Sequence, residues 1–165
     1  MKYITLIRHA KSDWSLTDQK DIERTLNLRG KRDAPVMGKK LFDLNLLPNK
    51  IFVSPAERTR ETCNLLVEQL DYPLGEVNEV DEIYEASVGS LLNFINRLDN
   101  QFHDVAIIGH NPSISYLTEY LTGTEIGNVP TCGVIRMKFD FEDWELISKD
   151  TADLIYFIYP KQLEE

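Results

Sequence analysis

Long apolar runs are missing from this chain. None approaches the roughly 20 residues of a membrane-spanning helix, so a bilayer-spanning role is not expected. Cysteine is scarce. Cys63 and Cys132 stand far apart without metal-ligand spacing, so neither a disulfide framework nor a metal centre is expected. Positive charge is outnumbered: 18 Lys and Arg face 27 Asp and Glu, a net charge of -9. That argues against nucleic acid as a partner, because its binders carry a basic footprint. It also means that a phosphate site must be a local positive pocket on an acidic protein. Linkers, repeats and low-complexity tracts are absent, and 165 residues suit one domain over 1–165. The opening MKYITLIRHA is apolar only as far as Arg8-His9 and lacks a small-residue cleavage site, so it reads as a strand rather than a leader. A cytoplasmic, reduced protein without a membrane partner is the expectation.

What is present alternates between strand and helix patterns, which implies an α/β sandwich. Lys2 to Ile7 is a β-branched and aromatic run, and residues 10–27 are polar and irregular. Met37, Leu41 and Leu44 mark a helical stripe within 28–46, which Pro35 and Gly38 should kink or delay. Lys50 to Val53 predicts a second strand. Ser54-Pro55-Ala56-Glu57 then reads as a capping box that opens a helix running to about Leu70, with Cys63, Leu66 and Leu70 on one face. Glu76 to Val80 predicts a short strand. Leu91, Leu92, Ile95 and Leu98 mark a helix, and Asp104 to Ile108 a buried strand. Asn111-Pro112 reads as a second cap-plus-proline helix start. Strands are expected at 133–139, 144–148 and 153–158, antiparallel because their links are too short for crossover helices.

Three segments share one design: LIRHA, FVSPAERTR and IIGHNPS each place polar residues directly after a strand. Open α/β sheets bind ligands beyond the carboxyl ends of their strands. Arg8, His9, Arg58 and His110 are therefore expected at one sheet edge, with helix N-termini adding N–H donors. Arginine forks match phosphate oxygens bidentately, so this set suits a phosphoryl group.

Leu-Ile-Arg-His resembles the opening signature of the histidine phosphatase superfamily. Ser-Pro-Ala-Glu-Arg-Thr-Arg-Glu-Thr resembles its second arginine motif, and Gly-His-Asn-Pro its second histidine motif. Arg-His-Ala-Lys-Ser-Asp-Trp at 8–14 and Arg-Thr-Leu-Asn-Leu-Arg-Gly at 24–30 are similar to the SixA-like phosphohistidine phosphatase branch. The likeness runs from Tyr3 to about the strand at 133–139. One departure is Ala10, where the superfamily usually has glycine.

The resemblance implies a three-layer, phosphoglycerate mutase-like sandwich with a mostly parallel central sheet. It implies metal-independent phosphatase chemistry without a cofactor. His9 would be the nucleophile, and Arg8, Arg58 and His110 would bind the phosphoryl group together with Ser12 and Asn111. The arginines would lower the His9 pKa and so keep it neutral. In larger members a carboxylate protonates the leaving oxygen. Glu82 is carried into the site for that role, with Asp81 and Glu85 as alternatives. A phosphohistidine substrate, whose imidazole leaves without a dedicated acid, is implied for a phosphorylated protein partner. A small-molecule phosphomonoesterase or mutase is the alternative, and a non-catalytic phospho-ligand binder a third reading.

His103 lacks such company and reads as surface. Arg24 and Arg60 stand open between ion pair and pocket rim, Lys11 and Ser12 between solvated loop and contact with phosphate or substrate, and Trp14 between a lid or partner-facing aromatic and burial against the sheet. Cys63 reads as core, and Cys132 is assigned no chemistry.

Overall fold

The computed structural model describes residues 1–164. Its strands are β1 (Lys2–Arg8), β2 (Lys50–Val53), β3 (Asn78–Glu79), β4 (Asp104–Gly109), β5 (Val134–Phe139) and β6 (Asp153–Ile158). Its helices are α1 (Leu28–Asp43), α2 (Glu57–Leu70), α3 (Val88–Asn96) and α4 (Ser113–Thr122). The strands form one sheet in the order β3-β2-β4-β1-β5-β6. β3, β2, β4 and β1 pair in parallel, whereas β5 runs antiparallel to β1 and β6 to β5.

The period-two alternation of the strands splits the core into two layers. Ile4, Leu6, Val105 and Ile107 face one side, where Leu91, Ile95, Ile114 and Leu117 of α3 and α4 cover them. Ile7, Ala106, Ile108 and Ile51 face the other, against Met37, Leu41, Cys63 and Leu66 of α1 and α2. Helices thus cover both faces of the mixed sheet, as the three-layer reading expects. Burying each of the Ile, Leu, Val and Met side chains among these stabilises the fold by roughly 1.5–3 kcal/mol. No helix among the described residues is long and apolar enough to cross a membrane.

Several local expectations are corrected. α1 starts at Leu28 without delay, because the Asn27 side chain caps it by accepting the Gly30 N–H at 2.9 Å, and it continues through Pro35. Leu44 lies beyond the helix end and is exposed. The segment at 144–148 is no strand but a 3₁₀ turn, Trp144–Leu146, set by the fully buried Trp144. The Trp144 indole N–H donates to the carbonyls of Asp99 and Phe102. The strand expected at 76–80 contracts to β3, after a 3₁₀ turn at Leu74–Glu76. The capping box at Ser54 does not form: α2 begins at Glu57 with Ala56 at its cap position and no side-chain cap bond. Pro112, not Asn111, occupies the cap position of α4.

Candidate active site

β1 and β4 are neighbours, with Arg8 in register with Gly109. The next residue of each strand is a histidine, so the fold sets His9 and His110 side by side, with ring centroids 5.4 Å apart. The His9 backbone is fixed from both sides: its N–H donates to the Gly109 carbonyl, and its carbonyl accepts from the Cys132 N–H. Its ring is fixed as well. Nδ1 lies 2.8 Å from the Ala10 carbonyl oxygen. A carbonyl can only accept, so Nδ1 carries the proton and Nε2 keeps its lone pair. The Thr62 hydroxyl on α2 holds this arrangement by accepting from the Ala10 N–H at 2.9 Å and donating to the Arg58 carbonyl at 2.7 Å. The Ala10 methyl packs in the core on the α1–α2 side, so the departure from glycine is accommodated there.

Arg58 leaves the first turn of α2 and reaches the same place. Its Nη1 donates to the Asp21 carbonyl oxygen at 2.8 Å, and its Nη2 to Asp21 Oδ2 at 3.0 Å. Its Nη2 also lies 3.4 Å from His110 Nδ1. His110 Nε2 is 2.7 Å from Ser54 Oγ, so the Ser54 hydroxyl, read from sequence as a helix cap, instead orients a pocket imidazole. Arg8 Nη1 donates to the Val129 carbonyl at 2.8 Å. The Nε atoms of Arg8 and Arg58 are buried without a hydrogen-bond partner among the described residues.

Arg8, His9, Arg58 and His110 line one cavity of about 260 Å³ together with Lys11, Ser12, Arg24 and Asn111. Ser12 and Asn111 are partly committed. The Ser12 hydroxyl accepts from Arg24 Nη1. The Asn111 amide donates to Asn128 and Val129 and accepts from the Ser115 N–H, which ties the loop to α4. Glu82 is not brought to the cavity: its carboxylate pairs with Arg97 at 2.7 Å on the surface. Asp81 is also absent from the lining, whereas Glu85 belongs to it, with a backbone φ of 55°. That left-handed conformation strains a non-glycine residue and sets where its side chain leaves the chain.

Two lining residues, Asp21 and Tyr84, escaped the sequence reading. Asp21 sits in a 3₁₀ turn (Asp21–Glu23) of the long polar loop, which the Ser12–Leu26 bridge pins as a strap beside the pocket. Asp21 Oδ1 accepts from Arg24 at 2.8 Å, and its Oδ2 accepts from the Tyr84 hydroxyl at 2.7 Å as well as from Arg58. The only sequence signal was an acid three residues ahead of Arg24. Arg24 is both ion-paired and pocket-lining, and its guanidinium stacks 3.7 Å over Trp14. Trp14 itself is 69% exposed, which overturns burial against the sheet. Arg60 pairs with Glu57 and Glu79 outside this cavity.

Burial pushes the His9 pKa down to about 3. The Ala10 carbonyl opposes that shift, and the charges of His110, Arg58 and Arg8 add to it. Burial, then Arg58, pushes His110 down to about 4. Dehydration rather than arginine charge is thus the chief reason that both rings are neutral. Burial opposes the Asp21 charge, but hydrogen bonds from Arg24, Tyr84 and Arg58 hold its carboxyl well below the usual carboxylate range. Cys63 is buried in the core, and its thiol is pushed up to about 12 by that burial.

Comparison with known proteins gives a consistent result. Residues 4–93 match the model of the histidine phosphatase superfamily (branch 1). An uncharacterized chloroplastic protein of Arabidopsis thaliana is 27% identical over 150 residues, 86% of this chain and 68% of that one. An uncharacterized protein of Mycobacterium leprae is 27% identical over 167 residues, 94% of this chain and all of its own. Among solved structures, the putative phosphohistidine phosphatase SixA from Agrobacterium tumefaciens superposes with a TM-score of 0.83 at 24% identity, covering 96% of this chain and 98% of that one. The protein histidine phosphatase SixA complexed with tungstate superposes equally well, TM-score 0.83 at 20% identity, over 98% of this chain and 99% of that one. At these identities the likeness establishes the fold.

Proposed function

The chain belongs to the histidine phosphatase superfamily, and on that premise we propose that it is a metal-independent phosphatase working through a phosphohistidine intermediate at His9. The observation that carries this reading is the His9–Ala10 hydrogen bond. It presents an unprotonated Nε2 at a cavity lined by Arg8, Arg24 and Arg58. Nε2 attacks phosphorus as the bond to the substrate's leaving group breaks with its electron pair on that group, and the imidazolium that results keeps its Nδ1 proton on the Ala10 carbonyl. Water then hydrolyses the phosphohistidine and returns His9 with orthophosphate. The unpartnered Nε–H groups of Arg8 and Arg58 supply donors for phosphoryl oxygens, whose charge they stabilise in the transition state. His110 and Ser12 line the same space, and Asn111 braces the loop beside it.

We assign phosphohistidine on a protein as the substrate class. The polar strap leaves the cavity open to a side chain, and neither Asp81 nor Glu82 reaches it as a proton donor. The domain of action is then 1–165 as one unit, in the cytoplasm, without a cofactor. A second reading, small-molecule ester hydrolysis, is favoured by one observation: the pocket position of Glu85.

The test is a substrate panel of a phosphohistidine protein and phosphate esters, run on the wild type and His9→Ala. Release from phosphohistidine that depends on His9, with a base-stable and acid-labile phosphoenzyme, supports the reading. Fast ester turnover with no release from phosphohistidine overturns the substrate class, and activity that survives His9→Ala overturns the nucleophile.

A further inference from the structure

We propose that Asp21 is a specificity-determining residue, whose carboxylate holds the protonated imidazole of a departing phosphohistidine and so favours phosphoramidate over phosphate-ester substrates. The proposal rests on the phosphatase reading above and names what selects the substrate of that site.

Depth places Asp21 on the leaving-group side. His9 is 8% exposed and forms the floor, whereas the Asp21 side chain is 49% exposed at the mouth. His110, beside His9, meets Tyr84 edge to face with ring centroids 5.5 Å apart, and the Tyr84 hydroxyl ends on Asp21. A phosphoryl group attacked from the floor expels its leaving group toward the mouth. The carboxylate there is immobilised by two arginines and a tyrosine. A carboxylate offers about four acceptor positions. Arg24 takes one on Oδ1, and Arg58 and Tyr84 take those on Oδ2, so Oδ1 retains capacity for an N–H donor.

The chemistry of the two substrate classes differs at this point. In phosphohistidine one ring nitrogen bears phosphorus and the other accepts a proton, so the protonated ring that Asp21 would hold is the phosphorylated one, before the bond to phosphorus breaks. When His9 Nε2 bonds to phosphorus, the P–N bond breaks with its electron pair on the substrate nitrogen. A ring already protonated on its second nitrogen then departs as neutral imidazole, and no further proton is needed. An ionised carboxylate accepting from that N–H stabilises the protonated ring and therefore the better leaving group. For an ester the leaving oxygen gains negative charge, which the same carboxylate repels. One residue thus raises one reaction and lowers the other.

The test uses the full chain as wild type and Asp21→Asn, with a phosphohistidine peptide and p-nitrophenyl phosphate as substrates. Asn retains an acceptor for the arginines but loses the charge. The expected result is a ratio of kcat/KM, peptide over ester, that falls about tenfold or more in the variant. Loss of both activities by the same factor would mean that Asp21 only holds Arg58 and Arg24, and would overturn the proposal. A wild type that does not turn over the peptide would overturn the substrate class first and this proposal with it, so the two failures are distinguishable.

Discussion

The Nδ1 of His9 lies 2.8 Å from the carbonyl oxygen of Ala10. This contact ties the tautomer of the ring to the backbone of the next residue, and that backbone is held in turn by Thr62. Replacing Thr62 with Val removes the hydroxyl that accepts from the Ala10 N–H and leaves that buried N–H unpaired, at a cost of about 1–3 kcal/mol. We expect Thr62→Val to lower kcat several-fold with little change in KM, because the loosened carbonyl orients the ring of His9, the nucleophile proposed above. Steady-state kinetics on any turned-over substrate checks this. His9→Ala should lower turnover by about a thousandfold or more.

The neutral histidines leave a mark on stability. In the unfolded chain each titrates near 6.5, the ordinary value of a free imidazole side chain, whereas the folded values are about 3 for His9 and about 4 for His110. Below pH 6.5 the unfolded chain binds protons that the folded one refuses, so stability is full above that pH and falls as pH drops toward 4. The loss is on the order of 1 kcal/mol per pH unit for each histidine. Urea unfolding between pH 7 and 5 measures it, and His110→Gln should flatten the dependence by about half. By the same values the acid limb of kcat/KM should not lie near pH 6.5 but at about pH 4 or lower.

Gly30 touches the strap where it leaves the His9–Ala10 segment. A Cβ there would clash with the Lys11 carbonyl oxygen, a contact that the backbone cannot relieve without moving. Gly30→Ala is expected to destabilise by about 1–3 kcal/mol. It should also displace Lys11 and Ser12 and lower kcat/KM, whereas Gly75→Ala, which meets nothing within 4 Å, should do neither. Thermal melts and kinetics on both variants separate the cases.

Glu82 and Glu85 make opposite predictions. Glu82→Gln should leave activity within about twofold and cost at most about 1 kcal/mol, the value of an exposed ion pair with Arg97. Glu85→Gln should lower the hydrolysis of alkyl phosphates, whose leaving oxygen needs a proton, more than that of phosphohistidine. Equal effects on both substrates would assign Glu85 to binding instead.

The frame was legible because its signals are local. β2, the end of α2 and β6 fall where strand composition and helical periodicity place them, and Arg8, His9, Arg58 and His110 follow from strand ends in an open sheet. Three of the misreadings share one cause. Ser54, Glu82 and Trp144 each fit a local pattern, but a distant partner claims the side chain: His110, Arg97 and the carbonyls of Asp99 and Phe102. Beyond the i,i+3 spacing to Arg24, Asp21 left no trace, because a 3₁₀ turn in a polar loop has no periodicity and its partners Arg58 and Tyr84 are 37 and 63 residues away. Tertiary pairing of this sort is invisible to spacing.

A cationic cavity inside a protein of net charge -9 has a kinetic consequence. At distances beyond the pocket the phosphorylated substrate proposed above, whose phosphoryl group is negative, meets repulsion, and only near contact does it meet Arg8, Arg24 and Arg58. The Debye length is about 8 Å at physiological ionic strength. Modest salt should therefore speed the encounter by screening the envelope, before higher salt weakens the hold of the arginines. The apparent second-order rate constant is then expected to pass through a maximum with ionic strength, instead of falling steadily as it does for basic phosphate binders.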